Sequence, residues 1–175
     1  MAIWQFKVVA LPEEVLLSRY GVLPPTVPMR VAEEFPWWSE RQPPPGFEKG
    51  IDLILPEGAS WSTSMRMWGE KGSDEAHVCY LDDSKSRIEE IGFRIDARAK
   101  SSDYVRKVCA LCKQLGCVLI TREYELLLPD EAMVLSALTR STAKRYLDDP
   151  VTTLKELDHA TIERRFEYLK KTRRT

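Results

Sequence analysis

Four side chains with metal-binding chemistry stand in two short pairs: Cys109-x2-Cys112, and His77 two residues before Cys79. Zinc takes four nitrogen or sulfur ligands in a tetrahedron, so two such pairs could complete one set. The setting of the first pair argues otherwise. Cys109 and Cys112 fall on the apolar side of a helix predicted from Ser101 to Leu115, where a free cysteine behaves as a small hydrophobe. A thioredoxin-type redox site places its reactive cysteine at a helix N-terminus, whereas Cys109 is mid-helix. The cysteines are therefore read as core residues, and neither a metal nor a cofactor is expected. His77 and His159 are the two histidines, far apart and in different contexts, with no nucleophile motif beside either. The acidic pairs Asp82-Asp83 and Asp148-Asp149 sit where turns and helix ends are expected. No G-x-S-x-G, H-E-x-x-H, phosphate-binding loop or dinucleotide fingerprint occurs. No catalytic residue is assigned, and the balance falls on a protein that is not an enzyme.

Binding chemistry is better represented. Arg94, Asp96 and Arg98 alternate along one predicted strand and so share a face, and Arg66 and Trp68 lie on a nearby strand. Side by side, the five would form an arginine–carboxylate–indole surface suited to an anionic ligand or to a partner's acidic group. A second candidate is Trp37-Trp38, set among prolines. Tryptophan brings large contact area and is enriched at interaction hot spots, although the same rings could instead seal the core.

The elements that must position these residues read as follows. Residues 3–10 are rich in aromatic and β-branched types and predict an opening strand. Pro12-Glu13-Glu14 then suits the first turn of a helix ending at Gly21. Between residues 22 and 49 periodicity collapses, because seven of the 11 prolines lie there. Proline fixes φ and removes a donor, so this stretch reads as an ordered covering loop, its Phe35, Trp37 and Trp38 seeking burial or a partner. A short helix within 46–55 precedes a β-meander, with strands at Ser64–Trp68, Ala76–Leu81 and Arg87–Arg98. In the last of these Ile91, Phe93, Ile95 and Ala97 alternate with Gly92, Arg94, Asp96 and Arg98, which implies one buried and one wet face. The helix to Leu115, a buried strand at 117–121, a segment at 124–128, two helices around Ser141 and a further short helix carrying Val151, Leu154 and Leu157 complete the pattern. The expected fold is α+β: an antiparallel, mostly meander sheet of four to five strands, helices on one face and a helical C-terminal region.

Charge supports a division at residue 157. The last 18 residues carry six basic and three acidic side chains, against 20 basic and 24 acidic in residues 1–157. Ile162, Phe166 and Leu169 give that tail one apolar helical stripe. A chain of 175 residues with 26 basic and 27 acidic side chains lacks the electrostatic footprint of a dedicated nucleic-acid binder. No apolar run approaches the ~18–20 residues of a membrane span, and the first residues lack a basic signal-peptide region. A cytoplasmic protein, with no membrane association, is expected.

Taken together, Trp4-Gln5-Phe6-Lys7, Arg66-x-Trp68-Gly69 and Arg94-Ile95-Asp96-x-Arg98 give the chain a look that resembles a family of single-domain bacterial proteins with no established activity. That resemblance spans residues 1 to about 157 and implies an immunity- or accessory-type role only by analogy. The leading expectation is a non-enzymatic domain that binds another protein through the open sheet face and the Pro/Trp loop. The alternatives are an anionic-ligand binder or enzyme built on Arg66, Trp68, Arg94, Asp96 and Arg98, and a nucleic-acid contact through the tail.

Overall fold

Gln5–Pro12 form β1, whose alternating apolar residues Phe6, Val8 and Ala10 are almost wholly buried. In the computed structural model, which describes residues 3–157, this first strand lies near the middle of the sheet rather than at its edge. The remaining strands are β2 (Glu57–Gly58), β3 (Met65–Gly69), β4 (Glu75–Tyr80), β5 (Ile88–Asp96), β6 (Cys117–Thr121) and β7 (Leu126–Leu127). All pairings are antiparallel and the order is β2-β3-β4-β5-β1-β6-β7. The α+β class is as expected, with seven strands in place of four to five. Two of the seven are two residues long, too short to carry any periodic signal. The meander holds from β2 to β5, and β1 then closes the gap between β5 and β6.

The helices are α1 (Glu13–Tyr20), α2 (Met29–Glu34), α3 (Glu48–Asp52), α4 (Ser102–Gln114), α5 (Glu131–Arg140) and α6 (Thr142–Asp148), and residues 150–157 are helical as well. Pro12 precedes two glutamates that complement the α1 dipole, and Gly21 stops the helix at φ 76°, a left-handed conformation costly for any residue with a Cβ. Asp130 caps α5 by accepting from the Met133 amide, and Ser141 caps α6 by accepting from Lys144. Ser101 stands at the start of α4 without capping it. Its hydroxyl donates to Asp96 O and to Asp74 Oδ1, tying the helix start to the end of β5.

Pleat parity defines the two faces of the sheet. Directly paired residues point the same way, so the pairs Val8–Phe93, Phe93–Ala76 and Ala76–Trp68 mark a single apolar face across four strands. The α3 helix packs on it, Trp68 Nε1 donating to Asp52 Oδ1 at 2.7 Å. The α4 helix lies alongside, close enough that a Cβ on Gly50 would sit 2.6 Å from Leu111 Cδ1. On α4 the side chains of Tyr104, Val105, Val108, Cys109, Leu111 and Cys112 are buried, and α5 packs against this helix.

Residues 22–49 form the covering segment that their prolines suggested. Trp37 and Trp38 are 5% and 2% exposed, and Phe35 meets Trp37 edge to face at 4.7 Å. The segment is tied down by backbone bonds from Val27 to Tyr124 and from Leu126 to Pro25. Gln42 fixes its far end, donating to Ile88 O and accepting from Ile88 N, as a strand partner would. The charged tail, with Ile162, Phe166 and Leu169, lies outside the described residues.

Candidate functional site: the polar face of the sheet

Among the described residues, the second face of the sheet carries four of the eight buried polar or charged residues. By parity it presents Gln5, Lys7 and Val9 of β1, Glu90, Gly92, Arg94 and Asp96 of β5, Glu75, His77 and Cys79 of β4, and Met65 and Met67 of β3. An exposed face should leave such side chains in water, yet Gln5, Glu75, His77 and Asp96 are each no more than 6% exposed. The expectation of a wet face is thus corrected. Burying unpaired polar atoms is expensive, so the face survives by pairing its groups with one another.

Three linked clusters do this. In the first, Glu75 accepts from Gln5 Nε2 at 2.8 Å, from Arg94 NH1 at 2.7 Å and from the Gly72 amide. Burial pushes the Glu75 carboxyl up, but these donors outweigh it and hold the group below its ordinary value. In the second, Arg98 places Nε and NH2 on the two oxygens of Asp96 at 2.9 and 2.8 Å, and NH2 also reaches Gly72 O. The guanidinium lies 4.5 Å from the Trp4 ring centre, and Trp4 Nε1 donates to the same Gly72 carbonyl. In the third, Glu90 Oε1 accepts from Lys7 Nζ at 2.8 Å and pairs with His77 Nε2 at 2.7 Å. Burial alone would raise the Glu90 carboxyl, but the His77 hydrogen bond and the Lys7 ammonium bring it down to about 2. The His77 ring lies over Gly92, where any Cβ would come within 2.2 Å of Cε1.

The residues singled out from sequence do not converge. Arg94, Asp96 and Arg98 do follow one another along the polar side of β5 and its extension. Arg66 and Trp68 are on the opposite face, because Arg66 pairs with Val78 and Trp68 with Ala76, both of which continue the apolar face. The whole of β4 also separates β3 from β5. A single surface lined by Arg66, Trp68, Arg94, Asp96 and Arg98 therefore does not exist. Parity decides this, and β3 alone could not reveal it, since Met65 and Met67 are as apolar as Trp68. Arg66 is held by Glu57, with Nε and NH2 at 2.8 and 2.9 Å, and its guanidinium lies 4.7 Å from the Trp68 ring. Trp37 and Trp38 turn inward, for the reason their composition allowed: large rings gain more from the core than a proline-rich loop could lose.

The two cysteine pairs are also separate. Cys109 and Cys112 are buried on α4, beside the apolar face, whereas His77 and Cys79 belong to the polar one. Burial raises the Cys109 thiol to about 11 and the Cys112 thiol well above its ordinary value, as expected of inert core cysteines. Among the described residues, a potential metal-ligating cluster does occur elsewhere. A ring nitrogen of His77, Cys79 Sγ and a Glu90 oxygen lie within 4.8 Å of one another.

One aromatic went unremarked in the sequence. Trp61, in the loop between β2 and β3, is 73% exposed, whereas Trp37, Trp38 and Trp68 are buried and Trp4 is bonded to Gly72. Leu53, just after α3, and Leu81, just after β4, are 84% and 53% exposed. An open depression lined by Leu127, Ala132, Met133 and Ser136 lies at the opposite, β7–α5 edge, away from every residue predicted to bind.

No family model, no curated protein and no solved structure matches this chain. Functional inference therefore rests on the geometry just described. No helix among the described residues is long and apolar enough to cross a membrane.

Proposed function

We propose that this protein works by binding another protein, without catalysis of its own, through the β2–β4 side of the sheet around Trp61. The observation that carries this reading is the exposed Trp61 ring on a chain that buries or bonds its other four tryptophans. Leaving an indole in water forgoes burial worth about 1.5–3 kcal/mol, and tryptophan is the residue type most often found anchoring protein interfaces. Thr63, which donates to Asp83, holds the loop against the β4–β5 turn, so that the indole projects from a tethered base.

The pairing of the arginines weighs against a small anionic ligand. Arg66 is committed to Glu57, Arg94 to Glu75 and Arg98 to Asp96, so an incoming anion would have to displace an internal carboxylate at each position. The test is affinity capture with chemical cross-linking, comparing the wild-type chain with Trp61→Ala after both give the same circular dichroism spectrum. The expected result is a stoichiometric partner cross-linked within residues 53–64 and lost with Trp61→Ala. Equal capture by both proteins, or cross-links confined to other surfaces, overturns the reading.

A further inference from the structure

His77 and Cys79 stand one pleat repeat apart on the polar face of β4, and β5 sets a carboxylate beside them. Cys79 pairs directly with Glu90, and His77 with Gly92. Because Gly92 has no side chain, the imidazole lies across it and reaches Glu90 two residues along, Nε2 to Oε1 at 2.7 Å. A ring nitrogen, a thiol sulfur and a carboxylate oxygen are thereby gathered within 4.8 Å of one another, the one such group of three among the described residues. We propose that His77, Cys79 and Glu90 form a binding site for Zn(II), with a solvent water as the fourth ligand. The site is independent of the Trp61 surface and uses none of its residues.

Three observations support a built site over a chance grouping. The first is spacing. Nitrogen and oxygen donors on one tetrahedral zinc stand about 3.4 Å apart, and sulfur stands about 3.6 Å from either. Glu90, at 2.7 Å, therefore opens from His77 by about 0.7 Å, and a sulfur within 4.8 Å closes by at most about 1.2 Å. Side-chain rotation at Cys79 and Glu90 covers both movements and leaves the backbone ladder in place. The second is graded access. The His77 side chain is 3% exposed and packed on Gly92, so its ring is fixed before an ion arrives. Its Nδ1 is buried without a hydrogen-bond partner, so the polar contact of the ring is with Glu90, inside the cluster. Glu90 and Cys79 are half-buried and give the ion an entry path, whereas the other three cysteines are enclosed. The third is Lys7, whose ammonium lies 2.8 Å from Glu90 Oε1. Carboxylates that bind metals are themselves hydrogen-bonded from outside, and Lys7 takes that part by moving to the second oxygen of Glu90.

The donor atoms select the ion. Calcium and magnesium take oxygen ligands and gain nothing from an imidazole or a sulfur. Cu(I) favours sulfur sets and has little use for a carboxylate. Zinc accepts all three donors, and three protein ligands with one open position is an arrangement it adopts repeatedly. Binding replaces the Cys79 S–H bond by a Zn–S bond and passes the proton to solvent, with no change in oxidation state.

The experiment is titration of the full, metal-free chain with Co(II), a spectroscopic substitute for zinc, followed by displacement with Zn(II). Tetrahedral d–d bands and a thiolate-to-cobalt charge-transfer band are expected together, at one ion per chain, and Zn(II) should bleach both. Cys79→Ser should abolish the charge-transfer band and weaken zinc binding by about 100-fold or more. Glu90→Gln, which keeps the shape of the side chain, should weaken it by about tenfold or more. A second measurement needs no variant to fold: in the wild-type chain, excess Zn(II) should block alkylation of Cys79, located by mass spectrometry. No charge-transfer band, a band that persists in folded Cys79→Ser, zinc affinity within about threefold of wild type in that variant, or alkylation of Cys79 unchanged by Zn(II) overturns the proposal.

Discussion

Replacing Gly92 by alanine adds one methyl group to the centre of the polar face, and the structure fixes what that methyl meets. Built on the native backbone, its Cβ lies 2.2 Å from His77 Cε1, 2.5 Å from Nε2 and 3.1 Å from Nδ1. The ring cannot simply rotate aside, because its side chain is 3% exposed and Nε2 is bonded to Glu90. Overpacking a rigid site costs about 1–3 kcal/mol. Displacing the ring also gives up a charge-assisted hydrogen bond worth about 1.5–3 kcal/mol. Against these stands a gain of about 0.4–1 kcal/mol, since alanine leaves the unfolded chain fewer conformations and Gly92 has no left-handed φ to forbid it. The net expectation is a loss of about 1.5–5.5 kcal/mol, or roughly 3–22 °C in melting temperature for a chain of this size. Urea denaturation of Gly92→Ala, His77→Ala and the double variant tests the origin of that loss. If the methyl acts through the imidazole, removing the ring first makes the methyl nearly harmless, and the double variant is more stable than additivity predicts by over about 1 kcal/mol. Additive effects within about 0.5 kcal/mol, or a stabilised Gly92→Ala, would refute the claim that His77 is packed on Gly92.

Other outcomes follow from the same contacts. Trp37→Ala or Trp38→Ala should cost about 3–5 kcal/mol by chemical denaturation, because both rings are core, whereas Trp61→Ala should stay within about 0.5 kcal/mol. Gly69→Ala should lose about 1–3 kcal/mol, since Gly69 adopts φ 87° and its Cβ would stand 2.3 Å from Asp74 O; a wild-type urea midpoint would contradict this. Asp96 is held below its ordinary carboxylate value, chiefly by the Arg98 side chain and secondarily by the Arg98 amide. A depressed pKa contributes stability that is complete above the unfolded value of 3.8 and is lost as the pH falls through the lower folded value. Asp96→Asn should therefore flatten the melting-temperature profile below about pH 4 while leaving its shape near neutrality unchanged.

Much of this fold was legible because its elements announce their own ends. Pro12, Gly21, Gly116, Asp130 and Ser141 mark helix boundaries through local chemistry, and each stands at or beside the boundary observed, as does Ser101 although its hydroxyl does not cap the helix. Pairing between distant segments was less accessible. Nothing in residues 5–12 says that β1 lies between β5 and β6, since its hydrogen bonds join residues more than 80 positions away. Glu57–Gly58 and Leu126–Leu127 are strands only because a neighbour offers them partners. The site was half legible for a related reason. Alternation in β5 correctly set Arg94 and Asp96 against Ile91, Phe93 and Ile95, but β3 carries apolar residues on both parities, so its faces are defined only through β4. Gly92 was the overlooked signal: a glycine within a strand marks a close approach, here that of His77.

The buried charges on the polar face are better understood as determinants of register than as sources of stability. Moving ion pairs out of water costs about as much as their attraction returns, so replacing such a pair by well-packed apolar groups is often neutral or stabilising. Register is another matter. Sliding β4 by one residue against β5 would turn Glu75, His77 and Cys79 onto the apolar face, parting Arg94 from Glu75 and leaving Glu90 with Lys7 alone. Each stranded charge would then cost several kcal/mol, a penalty absent from an apolar strand that is acceptable on either side. The segment around β4 needs such a device, because Ala76 and Val78 are small and β-branched residues that would pack in several alignments. Lys7, which reaches past Gly92 to Glu90, extends the same constraint to β1, the strand whose position the chain's local sequence leaves least defined. The face that looked in sequence like a surface for ligands thus also supplies the long-range information that the short strands lack.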